Sequence, residues 1–304
     1  GYDSAGLSIL DSDNVLQTRK TIGKVADLEA VCKGNFVSGN TGISHTRWAT
    51  HGAPSSTNSH PHVSSGISIV HNGIIENHDV LREEMIAAGY EIQSDTDSEV
   101  IAHLIHQQLE TCSDLREAVN KTIARLKGAY ALGVMSDEYP GLIIGARSGS
   151  PLVVGVGMDE HFIASDQMAL RQVTDRFVYL EEGDVVELSS EAYTVFGANG
   201  KAVKRELHQL SETDQIADKG QYRHFMQKEM FEQATVLADT FAGRIGADHI
   251  LEAVFGHQAE GLFAQTKNIH IIACGTSFHS GLVAKYWLED MAGVPCQVEV
   301  ASEY

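Results

Sequence analysis

The sequence predicts a sheet-rich α+β domain followed by the opening of an α/β domain built on a parallel sheet, and three observations predict it. From Gly1 to about Ser190, short β-branched runs separated by Gly, Pro and Asp turns alternate with only a few amphipathic stretches. Between Glu206 and Gln221 the composition turns polar and loses any strand period. Beyond that, a short apolar strand, a polar loop, a helix and a second strand follow in the order of one βαβ unit. The expected organisation is a first domain over 1–205, a linker over 206–221 and the first part of a second domain over 222–304.

Each element has its own signal. Alternating apolar runs predict strands at Gly66 to Val70, Ala129 to Met135, Leu142 to Ala146, Leu152 to Val156, His161 to Ala164 and Asp184 to Leu188. A helix is expected from Asp79 to Ala88, with Gly89 as its stop. The next starts near Asp97 and places Val100, Ile101, Leu104, Ile105 and Leu109 on one face. A third, capped at Ser113, presents Leu115, Val119, Ile123 and Leu126 and stops at Gly128. In the second domain, Tyr222 to Thr240 and Ile250 to Ala264 read as helices and Asn268 to Ala273 as a strand. A polar loop from Gly275 to Gly281, a helix from Leu282 to Met291 and a strand from Gln297 to Val300 complete the unit.

A chain of 304 residues, 43% hydrophobic and with 28 Gly, has enough apolar surface for two packed domains. The net charge, 22 − 41 = −19, is spread through mixed segments, which makes nucleic acid and anionic membrane poor partners. Apolar runs such as Ile269 to Ala273 are far too short to span a bilayer, and no signal peptide is visible. Cys32, Cys112, Cys274 and Cys296 have no CxxC or scaffold spacing, so reduced thiols in a cytoplasm are expected.

Four stretches carry chemistry, and each also has a structural reading. Arg47, in the run His45-Thr46-Arg47-Trp48-Ala49-Thr50-His51-Gly52, has the planar fork that clamps a carboxylate by two parallel bonds; taken singly it is equally an ion-pair residue. Asn72-Gly73, flanked by Ser68 to His71 and by Ile74-Ile75, is by itself a type I′ hairpin signal. Thr96-x-x-Glu99 within Ser94 to Glu99 is a capping-box pattern, which offers Asp97 a place at a helix start. In Ile271-Ile272-Ala273-Cys274-Gly275-Thr276-Ser277, a strand ends in small hydroxyl residues before a helix, which is either an anion cradle or an ordinary capped turn. The histidines His45, His51, His60, His62, His71 and His78 show no metal-site spacing, so no metal is expected.

Taken together, Gly1-Tyr2-Asp3-Ser4-Ala5-Gly6, His45 to Gly52, His71-Asn72-Gly73 and Ser94 to Glu99 resemble the class II glutamine amidotransferases, the N-terminal-nucleophile glutaminases. The Ile271 to Ser277 segment looks like the start of a sugar isomerase (SIS) domain. Further runs extend the resemblance along the whole chain, among them Ala146 to Leu152, Ala164 to Gln167, Leu180 to Asp184 and Tyr222 to Glu229. The layout is similar to that of isomerising amidotransferases that deliver glutamine nitrogen to fructose 6-phosphate.

That resemblance implies a four-layer αββα sandwich for the first domain and, for the whole protein, hydrolysis of L-glutamine, internal movement of ammonia, and isomerisation and amination of fructose 6-phosphate to glucosamine 6-phosphate. No cofactor is implied, and the full-length family is usually a homodimer. Asn72 and Gly73 would form the oxyanion hole, Arg47 would hold the substrate carboxylate, Thr50 and His51 would add hydrogen bonds, and Asp97 would receive the α-ammonium. Trp48 would gate the ammonia path, although a lone Trp also serves as core. Thr276 and Ser277 would hold the sugar phosphate. The family's nucleophile is an N-terminal Cys, which these 304 residues do not begin with, so the chain reads as a fragment expected to be inactive as a glutaminase. Two alternatives stay open. One is an amidotransferase acting on phosphoribosyl pyrophosphate, against which the Cys274 to Ser277 loop argues; the other is a non-catalytic sugar-phosphate-binding regulator.

Overall fold

The computed structural model describes residues 3–210, 222–241, 243–246, 249–256, 259 and 261–304. The described residues fall into two compact units, Gly1–His257 and Gln258–Tyr304. The expected linker residues 211–221 lie outside the described residues.

The first unit opens with β1 (Ser4–Leu10), β2 (Leu16–Ile22), α1 (Val25–Gly34), β3 (Thr41–Arg47), β4 (His62–Ser64) and β5 (Ile67–Ile75). Three helices follow, α2 (His78–Ala87), α3 (Glu99–Leu109) and α4 (Leu115–Ile123). The chain then forms β6 (Gly128–Ser136), β7 (Ile143–Ser148), β8 (Val153–Val156), β9 (His161–Ala164) and β10 (Arg176–Tyr179). The strands β11 (Val185–Leu188), β12 (Tyr193–Phe196), β13 (Ala202–Val203) and β14 (Leu207–Gln209) precede the helix α5 (Phe225–Phe241).

Three sheets result, in the orders β2-β1-β3, β14-β10-β8-β9 and β13-β12-β11-β7-β6-β5-β4. Side-chain alternation decides what each face of the long sheet meets. Ile67 and Ile69 of β5 with Leu132 and Val134 of β6 face the helices, packing with Val100, Ile101, Leu104 and Ile105 of α3 and Leu115 and Val119 of α4. The opposite face of β6 contributes Ala131 to a cluster with Val154 of β8 and Val178 of β10, and Met135 to a cluster with Leu10 of β1 and Ile43 of β3. Because Ala131 and Met135 share that face, the three- and four-stranded sheets lie on the same side of the seven-stranded one. With α1 packed on β1 and β2, the unit is the four-layer αββα arrangement expected.

The second unit contains α6 (Leu262–Gln265), β15 (Ile269–Ala273), α7 (Gly275–Met291) and β16 (Cys296–Val300), with β15 and β16 paired in parallel from Ile269 opposite Cys296 to Ala273 opposite Val300. This is the βαβ unit of the sequence reading. Its helix begins seven residues earlier than expected: the polar stretch from Gly275 to Gly281 forms its first two turns. Gly281 is small for a packing reason, since a Cβ there would meet Ile271 Cγ2 at 2.9 Å.

Three other expectations change. The helix expected from Ile250 to Ala264 is a 3-10 turn at Glu252–Phe255 and the single turn α6, because Gly256 and Gly261 adopt φ of +113° and +69°, values outside the helical region. Leu207–Gln209 is an edge strand paired with β10, although its residues stood in the expected linker; all three are exposed and so show no alternation. The α4 cap is Asp114, whose side chain accepts from the Glu117 N–H at 2.8 Å, while Ser113 instead donates to the Glu117 carboxylate at 2.9 Å.

Candidate active site

β3 and β5 belong to different sheets, and their facing residues build the site. Along β5 the alternation turns His71 towards the start of α3, where Nδ1 lies 2.8 Å from Ser98 Oγ, and turns Asn72 towards β3, where its Oδ1 lies 2.7 Å from His45 Nε2. Asn72 and Gly73 are not a turn: they sit inside β5, opposite Ala131 and Tyr130 of β6. The hairpin reading of Asn-Gly therefore fails, and Gly73 has another reason to be glycine. Its φ is +139°, and a Cβ would overlap the Ala129 carbonyl oxygen.

A cavity of about 460 Å3 is lined by Arg47, Trp48, Thr50, Asn72, Gly73 and Asp97, together with Ser150, Asp239 and Arg244. Six of the seven first-domain residues singled out from sequence thus border one space; His51 is not on its lining but stands beside it, with Nδ1 3.7 Å from Asp97 Oδ1. Thr276 and Ser277 belong to the second unit, exposed in the first turn of α7.

Arg47, at the end of β3, is buried. Its Nη2 donates to the main-chain carbonyls of His51 and of Gly52, the latter at 3.1 Å, and so ties down the loop that follows the strand. Among the described residues Nη1 makes no hydrogen bond, and it lies 3.8 Å from Asp3 Oδ1. Burial lowers the guanidinium pKa from its ordinary value, and Asp3 and Asp97 oppose that shift. Trp48, by contrast, is 54% exposed, which rules out the core reading of this side chain.

Asp97 is buried, yet it does not cap α3. Its Oδ2 accepts the Ile75 N–H at 2.8 Å, and the Thr96 hydroxyl instead accepts the Glu99 N–H at 3.3 Å. Burial alone would raise the Asp97 pKa, but His71, His51 and the Ile75 N–H outweigh it and hold the carboxyl below its usual value. Glu99 anchors the preceding loop by accepting from the Gln93 and Ser94 N–H groups at 2.9 and 2.6 Å. The site therefore pairs a cation and a carboxylate with an exposed amide, Asn72.

His45 and His60 also line the cavity, with His62 beyond them; ring centroids are 4.3 Å apart for His45 and His60 and 4.7 Å for His60 and His62. Burial pushes His45 down to about 4 and His62 to about 3, and pushes His60 well below its ordinary value. Among the described residues no group of His, Cys, Asp and Glu is arranged to hold a metal.

Residues 45–172 match the family model described as glutamine amidotransferase domain, and residues 262–304 match that of the SIS domain. Over the full chain, the glutamine–fructose-6-phosphate aminotransferase (isomerizing) of Pseudomonas putida is 53% identical, that of Pseudomonas aeruginosa 52% and that of Vibrio vulnificus 50%. The chain is a homologue of these aminotransferases. It spans about half the length of each.

Solved structures show the fold of the amidotransferase unit. A glutamine phosphoribosylpyrophosphate amidotransferase from B. subtilis superposes with TM-score 0.56 at 19% identity, over 98% of this chain and 60% of its own. An allosteric regulatory enzyme of purine biosynthesis gives 0.55 at 24% identity, over 70% of this chain and 44% of its own. Among the described residues no helix is long and apolar enough to cross a membrane.

Sequence reasoning singled out the cavity's main residues but missed some of their supports. Asp3, whose carboxylate accepts the Ala49 N–H and faces Arg47, lies 44 positions before it; only the pairing of β1 with β3, Ser4 opposite Arg47, brings the two together. Asp239 stands on α5, in a segment read only as a helix, and Arg244 just after it, between the two helices expected there. The contact between His45 and Asn72 was accessible in principle through strand parity, once β3 had been recognised as a strand.

Proposed function

We propose that the full-length protein makes D-glucosamine 6-phosphate and L-glutamate from D-fructose 6-phosphate and L-glutamine. The observation that carries this reading is one cavity bordered by a buried Arg, a buried ionised Asp and the exposed Asn72 beside a half-buried Gly73, in a chain about 50% identical throughout to aminotransferases of that name. Glutamine carries a carboxylate, an ammonium and a carboxamide, and these three groups are complementary to Arg47, Asp97 and Asn72 in turn.

Residues 1–205 hydrolyse the amide. Arg47 binds the substrate carboxylate through Nη1, the nitrogen without a hydrogen-bond partner, while Nη2 keeps the loop in place. Asp97 receives the α-ammonium with its charge already secured, and Thr50 and His51 add hydrogen bonds. Attack by the cysteine thiolate that the family resemblance implies converts the carboxamide oxygen to an oxyanion. The Asn72 side-chain N–H2 and the Gly73 backbone N–H stabilise it, a kind of contribution worth roughly 3–4 kcal/mol per donor. Collapse of that intermediate breaks the C–N bond as the departing nitrogen takes up a proton, and water then hydrolyses the resulting thioester to glutamate and frees the thiol. The ammonia leaves past Trp48 to the isomerising half, to which residues 222–304 contribute. There, Thr276, Ser277 and the N–H groups of the first turn of α7 hold the sugar phosphate.

The protein works without a cofactor, as a homodimer in the cytoplasm, where its four cysteines, all free of disulfides here, remain reduced. The deciding experiment incubates the full-length protein with glutamine and fructose 6-phosphate and measures both products by mass spectrometry. Glucosamine 6-phosphate and glutamate in equal amounts are expected. Glutamate without amino sugar would overturn the acceptor assignment, and neither product would overturn the whole reading.

A further inference from the structure

We infer that His45 is a positioning residue for Asn72, its ring N–H holding the carboxamide oxygen so that the amide N–H2 is presented to the cavity. The inference rests on the oxyanion role proposed above for Asn72 and adds what makes that role work. A side-chain amide is a useful oxyanion donor in only one of its two orientations: turned by half a rotation about its last bond, it offers the developing negative charge a carbonyl oxygen instead of an N–H. Something must therefore select the orientation. Asn72 is exposed, so packing does not select it, and the 2.7 Å contact with His45 Nε2 is its side-chain hydrogen bond within the protein.

The chemistry of His45 makes that selection one-sided. Nδ1 is buried and, among the described residues, has no hydrogen-bond partner. Placing the proton on Nε2 satisfies the hydrogen bond and leaves Nδ1 an unpaired acceptor; placing it on Nδ1 would bury an N–H donor with nothing to receive it, the costlier defect. Burial and the neighbouring His71 and Arg47 charges keep the ring neutral, so it carries a single N–H. The ring is also fixed from behind by His60, 4.3 Å away between centroids. A neutral, immobile imidazole donating at Nε2 admits one orientation of Asn72, the one with nitrogen towards the cavity.

The test uses the full-length protein and a double-mutant cycle on glutamine hydrolysis. Asn72→Ala is expected to lower kcat by about 10²–10³-fold. His45→Leu, which removes the donor, should lower kcat by about 10–100-fold, the range in which hydrogen-bond partners behind a functional group act, with KM for glutamine within about twofold. The double variant should be no slower than Asn72→Ala alone, because an absent amide needs no orienting. His45→Gln, whose amide nitrogen reaches the Nε2 position, should recover most of the activity, and His45→Asn, one methylene shorter, should not.

Multiplicative losses in the double variant would overturn the inference, as would a His45→Leu effect confined to KM. Should His45→Leu fail to fold, the Gln and Asn pair decides alone: equal kcat in the two rejects the positioning role. If Asn72→Ala leaves kcat unchanged, the oxyanion reading fails instead.

Discussion

Arg47 joins two tasks in one side chain. Its Nη2 holds the His51 and Gly52 carbonyls, and in the proposed reaction its Nη1, 3.8 Å from Asp3 Oδ1, binds the substrate carboxylate. Truncation would remove this donor from both carbonyls and leave the anion unpaired, a type of loss worth about 2–5 kcal/mol for a buried charged partner. In the full-length protein Arg47→Ala should therefore reduce kcat/KM for glutamine by at least about 30-fold, while synthesis from free ammonia changes little. Steady-state assays with the two nitrogen donors check this; loss of the ammonia reaction with hydrolysis preserved would show that Arg47 does not clamp glutamine. Lysine should not rescue, because a point charge on a flexible stem cannot keep one nitrogen on the loop and another on the ligand.

At the scale of elements, helix α4 offers a direct comparison of two neighbouring candidates for one cap. Asp114 accepts the Glu117 N–H, so Asp114→Ala should cost about 1 kcal/mol, seen as a lower urea midpoint, and Ser113→Ala should cost less because its hydroxyl bonds two carboxylates, those of Glu117 and Asp114, in exposed hydrogen bonds. The reverse ranking would return the cap to Ser113.

This element also shows what could be read from the sequence. Its apolar face, Leu115 and Val119, was legible because helical periodicity is a property of many residues, whereas the cap depends on one torsion. The strands β5 to β9 and β11 were legible for the same reason. The strands β1, β2 and β3 were not: β1 (SAGLSIL) mixes small and polar residues with its few aliphatics, β2 (LQTRKTI) is mostly polar, and β3 carries the motif His45-Thr46-Arg47, so none shows the apolar run that marks β6 or β8. The candidate site was readable as a set of residue types. Its geometry, above all the place of Asn72 within a strand instead of a turn, came from a sheet pairing that no local pattern specifies.

For the whole molecule, two predictions follow from how its parts are joined. Trp48 is exposed at the rim of the cavity, so Trp48→Ala should leave the thermal midpoint nearly unchanged and glutamine hydrolysis largely intact. It should lower the glucosamine 6-phosphate formed per glutamine consumed, since ammonia then escapes to water. A parallel fall in both products with a lower midpoint would mark Trp48 as packing.

The second concerns acid. His45, His60, His62 and His71 take up protons near pH 6.5 when unfolded, but burial lowers all four in the folded protein, to about 4 for His45 and about 3 for His62. Between those values the unfolded chain binds more protons, so this stability is complete above about pH 6.5 and is lost as the pH falls towards 3. Glu99, for which hydrogen bonds from His103, Ser94 and Gln93 outweigh burial to bring it to about 2, adds a further loss below about pH 4.5. Urea midpoints should decline from pH 6.5 downward and more steeply below 4.5, and His62→Gln should flatten the upper part of the curve. A flat profile between pH 6.5 and 5 would contradict this.

The order of strands has a consequence for how the protein is made. The seven-stranded sheet takes β4 to β7 and then β11 to β13, while β8 to β10, which fall between them in sequence, go to the facing sheet that closes only with β14 at Gln209. Neither layer can be finished from a nascent chain shorter than about two hundred residues. At the usual elongation rate of about 5–20 residues per second, a ribosome needs roughly 10–40 s to deliver that length, and between the synthesis of β7 and that of β11 the outer edge of β7 has no partner strand. The first unit is therefore completed late in translation, and depends on whatever shields the outer edge of β7 until β11 arrives.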